Sequence, residues 1–136
     1  MPNTSARLQS MQLPAAPDHL APDGSAMRSL LAVQAGSLAC CTLPAGAVSK
    51  AVVHQTVEEI WYCVAGIGQV WRRGLTEAQI TELAPGTCIT IPVGTHFQFR
   101  TSGADELQVL IATMPPWPGA HEALPVAGYW EDTYSR

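Results

Sequence analysis

Lysine is nearly missing from this sequence: Lys50 is the only one, and charged residues make up 13% of the chain, about half the ~25% of an ordinary soluble domain. With a net charge of −4 and a pI near 5.4, there is no basic footprint for nucleic acid, and that partner class is excluded. No apolar run approaches the roughly 18 residues of a bilayer-spanning helix, so no membrane partner is expected. Met1 to Pro17 lacks the charged-then-apolar order of a signal peptide, which leads us to expect a cytoplasmic protein. No Cys-x-x-Cys pair occurs among Cys40, Cys41, Cys63 and Cys88. All four sit in apolar stretches and read as small buried hydrophobes rather than disulfides or a zinc knuckle. No segment of about 10–15 residues carries apolar side chains at i, i+3, i+4 and i+7, so no long helix is expected. A Gly-rich phosphate loop, a nucleophile elbow and a Ser/His/Asp order are absent too.

What is present is a chain of 136 residues, 47% hydrophobic, with eleven prolines and eleven glycines. That length suits one domain with a real core. Residues 1–26 are proline-rich and aperiodic, and read as an arm that is either mobile or draped over the domain. From Met27 onward, short runs of Val, Ile, Leu, Thr and aromatics alternate with turn residues, the pattern of an all-β sandwich or barrel. Strands are predicted at about 28–34, 38–43, 50–54, 58–65, 67–73, 78–83, 87–92, 96–101 and 106–114. Two of them, around Ile60–Ala65 and Leu107–Ala112, are apolar on both faces and should be covered on both sides. The second cover is either another sheet of the same domain or a partner subunit; the low charge favours the partner, and a homodimer is expected. Residues 115–136, rich in Pro and Trp, read as an extended tail laying aromatic side chains on the domain formed by residues 27–114.

Two segments carry the chemistry. The first runs from Gly46 through His54, Glu58 and Glu59 to Gly66; the second runs from Gly86 through Pro92, Gly94 and His96 to Arg100. Together they resemble the cupin superfamily, whose motifs read G-x5-H-x-H-x3or4-E-x6-G and G-x5-P-x-G-x2-H-x3-N. Gly46, His54, Glu59 and Gly66 fit the first, and Gly86, Pro92 and Gly94 fit the second, over a likeness running from about residue 28 to 114. The resemblance implies a single jelly-roll β-barrel, all-β. It also implies a metal centre built from three histidines and a glutamate. Here Val52 stands at the first histidine position, and the second-motif histidine falls at Phe97 in strict register, or at His96 if the Gly94 turn is one residue shorter. The ligands so implied are His54, Glu59 and His96, holding one divalent ion such as Fe, Mn, Ni or Zn. His54 and Glu59 differ by an odd number, so they converge only if Gln55–Val57 turns or bulges.

Glu59 should face inward with Trp61 and Cys63, where burial raises its pKa and makes it a candidate catalytic base; Glu58 should face solvent. Trp61, Gln98 and Arg100 are candidate ligand-binding residues, with Arg100 the handle for a carboxylate. Parity supplies a test of the second segment. His96, Gln98 and Arg100 point inward together and make a polar site, or Phe97 and Phe99 do and make an apolar one. His19 and His121 have no partner at useful spacing. The sequence therefore supports a cupin that binds a small organic acid or related metabolite with a partial metal site. The alternative is a metal-dependent enzyme of dioxygenase, isomerase or decarboxylase type acting on a small metabolite, and a third reading is an accessory subunit whose apolar sheet faces serve assembly.

Overall fold

The structure, a computed structural model, describes residues 7–135; the first part of the expected arm, residues 1–6, lies outside the described residues. In chain order the strands are β1 (His19–Leu20), β2 (Ala26–Ala32), β3 (Ser37–Leu43), β4 (Val52–His54), β5 (Glu58–Ala65), β6 (Gly68–Arg73), β7 (Ala78–Leu83), β8 (Cys88–Ile91), β9 (His96–Thr101), β10 (Leu107–Met114) and β11 (Ala123–Pro125). One turn of 3-10 helix, Ala120–Glu122, precedes β11. Among the described residues no helix is long and apolar enough to cross a membrane.

The strands form two antiparallel sheets, β1-β2-β3-β10-β5-β8 and β11-β4-β9-β6-β7. Stripped of the outermost additions, the two halves are β3-β10-β5-β8 and β4-β9-β6-β7, the order of an eight-stranded jelly roll. Turn chemistry helps set this winding. Gly66 has φ +84°, and a Cβ there would lie 2.3 Å from the Glu106 carbonyl oxygen, so only glycine fits the tight β5–β6 corner. Gly94, at φ +82°, occupies the turn before β9, and its amide donates to the His54 carbonyl oxygen at 3.1 Å.

Alternation decides what each strand buries. Along β5, Glu59, Trp61 and Cys63 are buried while Glu58, Ile60, Tyr62 and Val64 are exposed. Trp61, Phe97 and Phe99 pack edge-on in the core, with Trp61 centroids 5.6 Å from Phe97 and 5.0 Å from Phe99. Rings of this size fill the space between the sheets, and truncating Trp61 to alanine is worth about 3–5 kcal/mol. Three of the cysteines are buried as expected, but Cys88 is exposed because its side chain lies on the outer face of β8.

The terminal segments lie on the roll. Arg28 donates from Nε to the Pro14 carbonyl at 2.9 Å and from its guanidinium to the Ala15 carbonyl at 3.1 Å, holding the N-terminal segment beside β2. After β10 the chain passes Trp117, which packs on the core, and then crosses the outer face of the second sheet. There Gln98 fastens it: Oε1 accepts from the amides of Tyr129 and Trp130, both at 2.9 Å, and Nε2 donates to the Trp130 carbonyl at 2.9 Å. Tyr129 stacks on Trp71 at 6.2 Å, and Trp130 lies under the Arg100 guanidinium at 4.4 Å.

Candidate functional site

His54 ends β4 and Glu59 is the second residue of β5. The odd separation would send them to opposite faces of one strand, but Gln55 and Thr56 form a bend that resets the alternation, and both side chains turn into the space between the sheets. The bend is built by Glu122, a residue the sequence reading passed over. Its Oε1 accepts from the Thr56 amide at 2.5 Å, the Thr56 hydroxyl at 2.6 Å and the Val57 amide at 2.7 Å. Burial raises the Glu122 carboxyl, but these donors, with His54 nearby, bring it below the ordinary carboxylate range. Only its place three residues before Pro125 hinted that it lies in a tertiary turn, and no spacing rule marks it as a clamp.

His54 and Glu59 are 5% and 6% exposed. The Nδ1 of His54 lies 3.8 Å from Glu59 Oε2 and has no hydrogen-bond partner. That distance is too long for a hydrogen bond. Burial pushes the imidazole down to about 4, with Glu122 pulling the other way, so the ring is neutral near pH 7 and the contact is not an ion pair. Glu59 is pushed up to about 7 by burial, reinforced by Asp23 and opposed by the Trp61 indole, whose Nε1–H donates to Oε1 at 2.9 Å. Near neutrality the Glu59 carboxyl therefore stands at its own titration point, part protonated and part ionised, beside a neutral imidazole. A buried carboxylic acid poised near pH 7 beside a neutral imidazole can act as a general acid or base.

A void of about 40 Å³ adjoins the pair. Core residues Val52, Trp61, Phe97 and Ile111 wall it, and Ala21, Pro22 and Trp117 close it from the terminal segments. Asp23 and Ser25 complete the rim; the Asp23 Oδ1 accepts from the Ser25 amide at 2.9 Å and the Ser25 hydroxyl at 2.6 Å. Burial nevertheless raises the Asp23 carboxyl. The imidazole of His54 meets Phe97 and Trp117 edge-on, each with a centroid separation of 5.1 Å.

The other residues singled out from the sequence lie elsewhere. Strand β9 turns Phe97 and Phe99 inward, so His96 and Arg100 face away from the pair on the opposite side of the sheet. His96 lines a separate open hollow with Arg73 and Glu77. Arg100 is bound to Gln69 Oε1 at 2.9 and 2.6 Å and does not reach the interior. Gln98 is fully buried, but beneath the C-terminal tail, where its amide is consumed by backbone groups. The expectation that His96, Arg100 and Gln98 share a site with Glu59 is therefore corrected: strand parity separates them. Trp61 does stand in the site, as the donor that orients Glu59.

No protein-family model and no curated protein matches this sequence. Solved structures do match. The capsular polysaccharide assembling protein CapF of Staphylococcus aureus is 15% identical, over 75% of this chain and 32% of its own, with a TM-score of 0.67. KdgF from Halomonas sp. is 22% identical over 68% of this chain and 81% of its own, with a TM-score of 0.59. The cupin domain of Schizosaccharomyces pombe Cnp3 is 12% identical over 65% and 64%, with a TM-score of 0.58. The chain has the cupin fold. It spans about a third of the length of the CapF chain it matches.

The cupin metal centre can now be tested on the donors present. His54 and Glu59 offer one imidazole and one carboxylate, Val52 is apolar, and Phe97 fills the place a further histidine would need. Among the described residues no group of three His, Cys, Asp or Glu side chains is arranged to hold a metal ion. These residues do not fit a three-His-one-Glu centre, nor the His54–Glu59–His96 set expected from the sequence.

Proposed function

We propose that this chain is a small-molecule-binding cupin whose binding site is the void beside His54 and Glu59. One observation carries the reading: a buried imidazole nitrogen left without a partner, facing a carboxylate oxygen at 3.8 Å. Leaving such an atom unpaired costs about 1–3 kcal/mol, and a site that keeps it in an otherwise aromatic core is a functional candidate. The void admits only the head of a ligand; the remainder passes Trp117, whose displacement opens the site. Glu59 is the residue that would give or take a proton from the bound molecule, with Trp61 holding its other oxygen.

A small organic acid, the ligand first suggested by Arg100, meets no cation among the described residues that line the pocket. A metal-dependent enzyme is disfavoured because, among the described residues, no third His, Cys, Asp or Glu is arranged with His54 and Glu59 to hold a metal ion. We infer in addition that a second copy of the chain covers the outer face of the first sheet, where Ile60 (44% exposed), Tyr62 (47%) and Val64 (37%) line up on β5. The binding reading is tested by thermal shift against a panel of small acids, amines, polyols and sugars, on the wild type and His54→Ala. At least one class is expected to raise the melting temperature of the wild type alone. A panel without effect on the wild type, or with equal effect on both proteins, overturns it.

A further inference from the structure

Every charged or titratable side chain facing the pocket is acidic or a neutral imidazole. Asp23 and Glu59 line it directly, His54 stands between them and Glu122, and the Cys41 thiol lies behind, close enough to Asp23 and Glu59 for their charges to act on it. Among the described residues no lysine or arginine contributes to the wall. The arginines closest in sequence to it are engaged outside: Arg28 with the Pro14 and Ala15 carbonyls, Arg100 with Gln69, and Arg72 with Thr90 and Thr81. The remaining wall is aromatic, with Trp61, Phe97 and Trp117 around the void. An anion placed here would face two carboxyls with nothing to balance it. A small cation would meet carboxylate oxygens, an imidazole lone pair and ring faces, each of which attracts positive charge.

Resting on the binding-site reading above, we infer that the pocket recognises a small cation of the ammonium class, the head of a primary amine, and not an organic acid. An ammonium group has three donors. His54 Nδ1, the one buried atom of the pair with no partner, takes one, and Glu59 Oε2, facing it, takes the second. The third points to the Asp23 side of the void or to the ring of Trp61. The space of about 40 Å³ has room for this group, since a single water needs only about 10–15 Å³ of occupied volume. A bulkier quaternary ammonium has neither the donors nor the room. The carbon chain of the amine leaves past Trp117 and Pro22.

The test uses methylammonium chloride, tetramethylammonium chloride, sodium acetate and zinc chloride as separate probes on the full chain, followed through the ring nitrogen resonances of His54. Methylammonium is expected to shift His54 in a saturable way, while acetate and tetramethylammonium at equal ionic strength leave it in place. Glu59→Gln should weaken methylammonium at least about tenfold, because a charge-assisted bond becomes a neutral one; Glu58→Gln, on the outer face, should leave it unchanged. If Glu59→Gln fails to fold, Asp23→Asn takes its place with the same expected direction. Acetate moving His54 while methylammonium does not overturns the cation class and leaves the pocket as a binding site. Zinc displacing methylammonium at one ion per chain overturns the amine assignment. No probe moving His54, together with no effect of the wider panel, overturns both readings.

Discussion

Trp61 donates its indole N–H to Glu59 Oε1 at 2.9 Å, two residues along the same strand, and so turns the other carboxylate oxygen toward His54. The indole is buried in the core and cannot swing away, so the carboxyl is held in one orientation. The acid–base character of the pair depends on that fixed oxygen, and the first prediction follows from it.

Glu59 is raised to about 7 from an ordinary 4.5, so the folded state holds more protons than the unfolded state between those values, and its contribution to stability falls as pH rises through that window. His54 is lowered to about 4 from 6.5, so its contribution falls as pH drops through that window. Between about 4.5 and 6.5 the two slopes oppose each other. His54→Ala should therefore expose a loss of stability on raising pH from 4.5 to 7, and Glu59→Gln a loss on lowering it from 6.5 to 4, each of order 2–3 kcal/mol. Urea midpoints across pH on both variants check this; parallel profiles would contradict it.

Glu122→Ala removes the acceptor for Thr56 and Val57. We expect a loss of about 2–3 kcal/mol, since the buried Val57 amide and the part-buried Thr56 amide and hydroxyl lose their acceptor. The bend should also relax, drawing His54 away from Glu59, so that the ring nitrogen shifts of His54 change. Glu122→Gln keeps a carbonyl acceptor and should restore most of both effects.

Gln98→Leu keeps the size of the side chain but strands the Tyr129 and Trp130 amides and the Ser49 carbonyl. The expected cost is about 2–4 kcal/mol, and cleavage by a protease after residue 125 should become faster. Unchanged amide exchange in residues 126–135 would show that the tail is held by other contacts.

The outer face of the first sheet offers a simpler measurement. Tyr62→Glu places a charge in the middle of the exposed apolar row on β5. If a second copy covers this face, the variant should elute as a monomer over a dilution series in which the wild type stays dimeric, with little change in the stability of the single fold.

Much of the fold was legible in the sequence because period-two alternation and turn residues are local signals. The nine strands expected between residues 28 and 114 reappear as β2 to β10, with ends displaced by no more than two residues. The two- and three-residue strands β1 and β11 were not foreseen, for neither is long enough to alternate, and β11 ends on Pro125. For the site, the turn at Gln55–Val57 could be deduced from the parity of His54 and Glu59. The orientation of β9 could not, because His96-Phe-Gln-Phe-Arg100 reads equally well in either parity. Packing against Trp61 selects the phenylalanines for the inside, and Gln98 is then free to serve the tail. The roles of Gln98 and Glu122 rest on backbone groups far away in the chain, and such partners leave no trace in residue spacing.

Ala21 and Pro22 come from ahead of β2 and Trp117 from beyond β10, yet all three close the same small void. The eight-stranded roll on its own is thus a cup without a lid, and the two chain ends supply the lid in halves. Trimming either end would remove part of that cover and leave the void beside His54 and Glu59 more open to solvent. Proteins with the same roll and different extensions can in this way differ in what they accept while sharing every strand.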